Sequence, residues 1–188
     1  MTPPTVRALI ADALSARERF IATVGAPSHA QAVFKPSPDV WSIVDNVEHM
    51  TLAERSGTNG MWKALDGVRR GAPVWGGEPR HSGRTIESVV ETTWKPREIV
   101  PPIAAPAWGG PLAYWIAALR AGHTVLEALG HELELMEAQG VPLEQIIYPH
   151  PISGPLDMRQ RLEFLRFHLD RHANQVKTIR AHADFPSQ

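Results

Sequence analysis

Apolar residues recur at three- and four-residue steps in four stretches of the chain, the spacing that lines one face of an α-helix. In the first stretch the stripe is Val6, Leu9, Ile10, Ala13, Arg17, Phe20, Ile21 and Val24, with Pro3 and Pro4 suited to the opening turn. The second begins in "DVWSIVDNVEHM", where Ser42 followed by Asp45 resembles a capping box. Its stripe is Ile43, Val47, Met50, Gly57, Met61 and Leu65, and it should run to about Arg70. The third starts after Pro111, aligns Leu112, Ile116, Leu119, His123, Leu126 and Leu133, and stops at Gly140 with Pro142 just beyond. The fourth opens at "SGPLD", with Ser153 or Gly154 as cap and Pro155 as first residue, and its stripe is Met158, Leu162, Leu165, Leu169, Val176 and Ile179.

The pattern predicts an all-α four-helix bundle in a single domain spanning residues 1–188. Residues 71–110, between the second and third helices, are rich in Pro and Gly and carry Trp75, Trp94 and Trp108. Structureless connections of that length are uncommon unless functional, so "RTIESVVE" is expected to form a short helix and the rest to cover a bundle end. A connection this long can travel the height of a bundle, which lets the second and third helices run parallel. No period-two strand and no repeat is evident.

Composition narrows the chemistry. The formal net charge is −1, and acidic residues interleave with the arginines, so there is no basic face for a phosphate backbone and nucleic-acid binding is not expected. No apolar stretch approaches the roughly 20 residues of a membrane span and no leader pattern opens the chain, so no membrane association and a cytoplasmic location are expected. With no cysteine, the side chains offer only oxygen and nitrogen as strong ligands, and any thiol must arrive with a ligand.

His168 and His172 fall inside the apolar arc of the fourth helix, one turn apart, so both rings point at the core. A buried imidazole must be hydrogen-bonded or ligated. The pair either bonds to carboxylates and carbonyls at the core edge or shares a metal ion, and a metal site needs a further ligand from another helix. By periodicity His123, on the third stripe, is the better placed; His49 lies about 100° from the centre of the second stripe. His29, His81, His131, His150 and His182 are expected at the surface. Rival motifs fail: "HELEL" has Leu135 where a zinc protease needs its second histidine, and the one ExxH, "EPRH" at 78–81, lies in the Pro-rich connection, not on a helix pair of the di-iron type. Neither a GxSxG elbow nor a GxxxxGK[ST] loop is present.

"VWSIVDNVEHMTLAE" (40–54) and "PHPISGPLDMRQRLEFLRFHLDRHANQV" (149–176), set in the four-helix layout, resemble the DinB-like family of metal-binding bundles. The specific parts are Trp41 and Ser42 leading to His49, then "HP" and Gly154 ahead of a helix with HxxxH and Gln175. The resemblance implies an up-down-down-up bundle and selects His49, His168 and His172 as ligands over a site built on His123. It also implies a metal-dependent S-transferase or isomerase using a low-molecular-weight thiol, although many members are described only as metal-dependent hydrolases or damage-inducible proteins.

Three neutral imidazoles leave an open position on a divalent ion, and zinc or nickel suits imidazole best. Around them, Asp45 is expected to orient His49. Gln175, Glu54 and Glu127 stand as hydrogen-bond partners or proton acceptors, and His123 as a fourth ligand or acid–base group. A small-molecule substrate follows from this reading. Two alternatives are a non-enzymatic bundle pinned or sensing through its ion, and a metal-free homodimer that associates through exposed tryptophans.

Overall fold

Thr5 caps the first helix by accepting the amide of Ala8, and α1 then runs Val6–Val24. The computed structural model describes residues 4–77, 80–95 and 99–187; Pro3 and the start of "EPRH" lie outside them. A short helix, α2 (His29–Val33), follows. Next comes α3 (Ile43–Arg69), whose start is the predicted capping box, with the side chains of Ser42 and Asp45 each bonded to the other's amide. The segment foreseen inside the long connection is α4 (Ile86–Thr93), and α5 (Leu112–Ala138) begins directly after Pro111.

The last helix starts later than its sequence suggested. Residues Ile147–His150 (β1) and Gly154–Asp157 (β2) form an antiparallel hairpin in which Tyr148 faces Leu156 and Pro149 faces Pro155. Asp157, in a capping box with Gln160, then opens α6 (Met158–Arg180), so neither Ser153, Gly154 nor Pro155 is its cap. Four-residue strands that each carry a proline are too short to show alternation, which is why the hairpin read as turn material.

Cross-helix contacts fix the topology. Arg159 bonds the carbonyl of Pro4 and Arg180 that of Val24, so α1 and α6 are parallel. Thr51 bonds the carbonyl of Trp115 and Arg69 that of Glu132, so α3 and α5 are parallel. Glu18 meets Arg120 while Arg7 meets Glu134, which makes α1 and α5 antiparallel. The bundle is up-down-down-up, and the long connection climbs back along α6: Ile86, Val89 and Val90 of α4 pack on Leu156 and Phe164.

The core is divided. One apolar cluster joins Val6, Leu9, Ile10, Leu65, Leu129 and Leu162; the other joins Phe20, Val47, Met50, Leu119, Leu169 and Val176. Between them lies the buried ion pair of Arg17 and Glu54, whose side chains are 1% and 6% exposed. None of the described helices is long and apolar enough to cross a membrane.

Candidate metal centre

His49 lies in the second turn of α3, and His168 and His172 one turn apart on α6, which runs antiparallel to it. The geometry converges. His168 Nε2 is 3.2 Å from His49 Nε2 and 3.1 Å from His172 Nε2, and one nitrogen of each ring lies within 4.8 Å of the other two. Nitrogens that share one ion at about 2.0–2.1 Å lie within about 4.2 Å of each other, so the separations to His168 fit a common ion.

The outer nitrogens fix which lone pairs face inward. His49 Nδ1 donates to the carbonyl of Ala104 at 2.7 Å, because a carbonyl can only accept. Asn46 donates its amide to the carbonyl of Ser42 at 2.8 Å, which leaves Oδ1 to accept His172 Nδ1–H at 2.8 Å. Both rings therefore carry their proton outside and present a bare Nε2 to His168. A single proton on His168 Nε2 can serve only one of the two contacts; a cation serves all three nitrogens. Burial pushes all three imidazoles below their usual range, and for His168 the neighbouring rings His172 and His49 add to it. The shift favours neutral imidazoles over imidazolium ions, the form that can ligate an ion. Trp41 packs against both His49 and His172, at ring separations of 4.8 and 6.0 Å.

Ala104 is brought to His49 by the neighbouring residue, Glu48. That fully buried carboxylate accepts the amides of Ala107 and Trp108 at 2.7 Å each and of Gly109 at 2.9 Å. A turn at Pro102–Ala104 then presents its carbonyl to the ring. The long connection is thus tied to α3 beside the three histidines.

The three rings open onto a cavity of about 900 Å³, walled by Trp41, Trp75, Trp94, Tyr148 and Phe164, with Gln175 also at its border. The remaining expected residues fall elsewhere. His123 is 49% exposed and pairs with Glu127, itself on the surface, so neither is inside as expected. At that level of α5 the inward position belongs to Gly122, where a Cβ would come 3.2 Å from Glu54 Oε1. Glu54 is engaged by Arg17 through both Nε and Nη2. Asp45 does not orient His49, because its carboxylate is taken by the capping box and by Lys35 at 2.8 Å.

Of the five histidines expected at the surface, His29 and His131 are exposed, whereas His81, His150 and His182 are half-buried. His150 lines the cavity. The sequence reading missed Asn46, Glu48 and Ala104. Asn46 stands three residues before His49, a spacing that puts both on one helix face and could have exposed it. Nothing local marks Ala104, whose partner is 55 residues away.

A family model described as the DinB superfamily matches residues 14–176. No curated protein and no solved structure matches the chain.

Proposed function

The chain belongs to the DinB superfamily, and from that membership and the converging imidazoles we propose a divalent-metal-dependent transferase that activates a low-molecular-weight thiol. His49, His168 and His172 would hold the ion, zinc or nickel, beside the cavity. An ion so held supplies Lewis acidity and stabilises a thiol as its thiolate.

The protein's own groups do the rest. Ala104 and Asn46 keep two rings in the ligating tautomer, Trp41 covers them, and aromatic side chains give the cosubstrate an apolar wall. The absence of cysteine from the chain requires the sulfur to come from the cosubstrate.

The carrying observation is the convergence of three buried imidazoles, two of them oriented by outer hydrogen bonds, at the wall of a largely apolar cavity. Among the described residues the carboxylates bordering the cavity are Asp39 and Glu54, and Glu54 is held by Arg17. An ion lowers a thiol from its reference pKa near 8.5 and brings bound water from about 15.7 to about 7, so metal-bound hydroxide and hydrolysis form the second reading, which the cysteine titration below separates from the first.

Metal analysis of protein purified without an affinity tag should give about one equivalent per chain, with loss in His168→Ala and in His172→Ala; unchanged content in both variants defeats the site. Cysteine added to the cobalt-substituted protein should then produce a thiolate-to-cobalt charge-transfer band. A spectrum that cysteine leaves unchanged rejects the thiol and retains the ion.

A further inference from the structure

On the reading that this cavity takes the substrate, we propose that the part of it beside the start of α6 is an anion subsite, where Arg161 and His150 receive a carboxylate of the bound small molecule. Arg161 sits in the first turn of α6 and is only 5% exposed. Its Nε and Nη1 are sealed from solvent with no acceptor among the described residues. Nη2 is not among the sealed nitrogens, and Arg161 lines the cavity.

Aromatic faces compensate the charge only in part. The guanidinium carbon stands 4.1 Å from the centre of the Tyr148 ring and 5.7 Å from that of Phe164. Burial lowers its pKa to about 10, which still leaves a cation at neutral pH. A desolvated, unpaired cation costs the fold free energy, and a ligand anion in the same low-dielectric space would offset that cost.

The surroundings are shaped for it. On α3, Gly60 gives way to Tyr148, the ring that faces the Arg161 guanidinium, since a Cβ there would fall 2.0 Å from it. His150, between Trp94 and Phe164, accepts the amides of Ile152 and Ser153 on Nδ1, at 3.2 Å each. Its neutral ring therefore carries a proton on Nε2. Burial, with the Arg161 charge acting in the same direction, holds its pKa to about 3, so this N–H is an uncharged donor at neutral pH. One positive charge and two donors match a singly charged carboxylate.

Arg161 and His168 share a face of α6 seven residues apart, about 10 Å along the axis. The ligand class is therefore a small carboxylic acid with an apolar middle, whose reacting group lies about that far from its carboxylate.

Titrate 4-phenylbutyrate and 4-phenylbutanamide into the protein as purified, following tryptophan fluorescence, in the wild type, Arg161→Met and Arg161→Lys. The wild type should bind the carboxylate at least about tenfold tighter than the amide. Arg161→Met should bind both at the amide's level, keep its metal and melt no lower than the wild type; Arg161→Lys should keep part of the preference. Equal binding in the wild type, no binding of either probe at millimolar concentration, or a preference that survives in Arg161→Met overturns the subsite, the last by giving the carboxylate to the ion. A wild type with no metal but an Arg161-dependent preference upholds the subsite and removes the metal.

Discussion

Glu54 and His49 stand five residues apart on α3, and each is the centre of a buried polar cluster. At Glu54 the charges are matched one to one: Arg17 reaches both carboxylate oxygens, Gly122 closes over them, and apolar layers lie on either side. At His49 the arrangement is inverted. The protons of His49 and His172 point outward to Ala104 and Asn46, while the lone pairs point at His168 and the cavity. Burial is common to both clusters and distinguishes neither. The direction of the unused valences does: an ion pair that neutralises its own charges holds helices together, although Arg17 Nη1 finds no acceptor among the described residues, and a cluster that aims its lone pairs at a shared point can hold a ligand.

The strongest way to break this comparison is to unbalance the closed cluster. Glu54→Ala leaves Arg17 charged and buried and should destabilise by about 3–5 kcal/mol in denaturant unfolding. Replacing both partners, in Arg17→Met with Glu54→Leu, should restore most of that loss. Metal content should stay unchanged in folded protein of either kind, and a lost ion would mean that the clusters are not independent.

Next comes the response of the open cluster to acid. In chelated protein the three rings have folded-state pKa values below the unfolded value of 6.5. Below about pH 6.5 the unfolded chain binds protons that the folded chain refuses, so their contribution to stability should fall as pH drops through that value and be level above it. Denaturation midpoints at pH 7.5 and 5.5 test this. His168→Ala, with one fewer buried ring, should show a smaller drop, and an equal drop would locate the effect elsewhere.

Asn46→Ala removes the acceptor that fixes the His172 tautomer and should weaken metal affinity by about 10–100-fold in a competition assay against a chelator. The smallest effect is expected at His123→Ala. Its exposed pair with Glu127 should contribute within about 0.5 kcal/mol, with metal content unchanged, and loss of the ion would return His123 to the site.

The four long helices were legible because each keeps one apolar stripe against the core, and the limits of α3 and α5 agree within a residue or two with their caps and breakers. The same wheel misplaced the two histidines it compared. Around His49 nearly every side chain of α3 from Ile43 to Thr51 is buried, because α5, α6 and the long connection cover it on several sides; a stripe centre has little meaning on such a segment. His123 sits at stripe spacing, yet α5 presents Gly122 to the ion pair of Arg17 and Glu54 and turns the imidazole outward. Only the resemblance, carried by Trp41, Ser42 and the HxxxH of α6, selected His49, the histidine that the fold brings to His168 and His172.

Period, caps and the HxxxH spacing are local quantities, set within a few residues by backbone geometry, and through them the sequence by itself determined the helices and the pairing of His168 with His172. Ala104 against His49, Asn46 against His172 and Arg161 without an acceptor are meetings of segments 55 to 126 residues apart, or the lack of one. Such contacts depend on how helices pack and where a connection is tied down. The tertiary structure alone decided them, because no local preference of the backbone encodes which distant atom completes a buried valence.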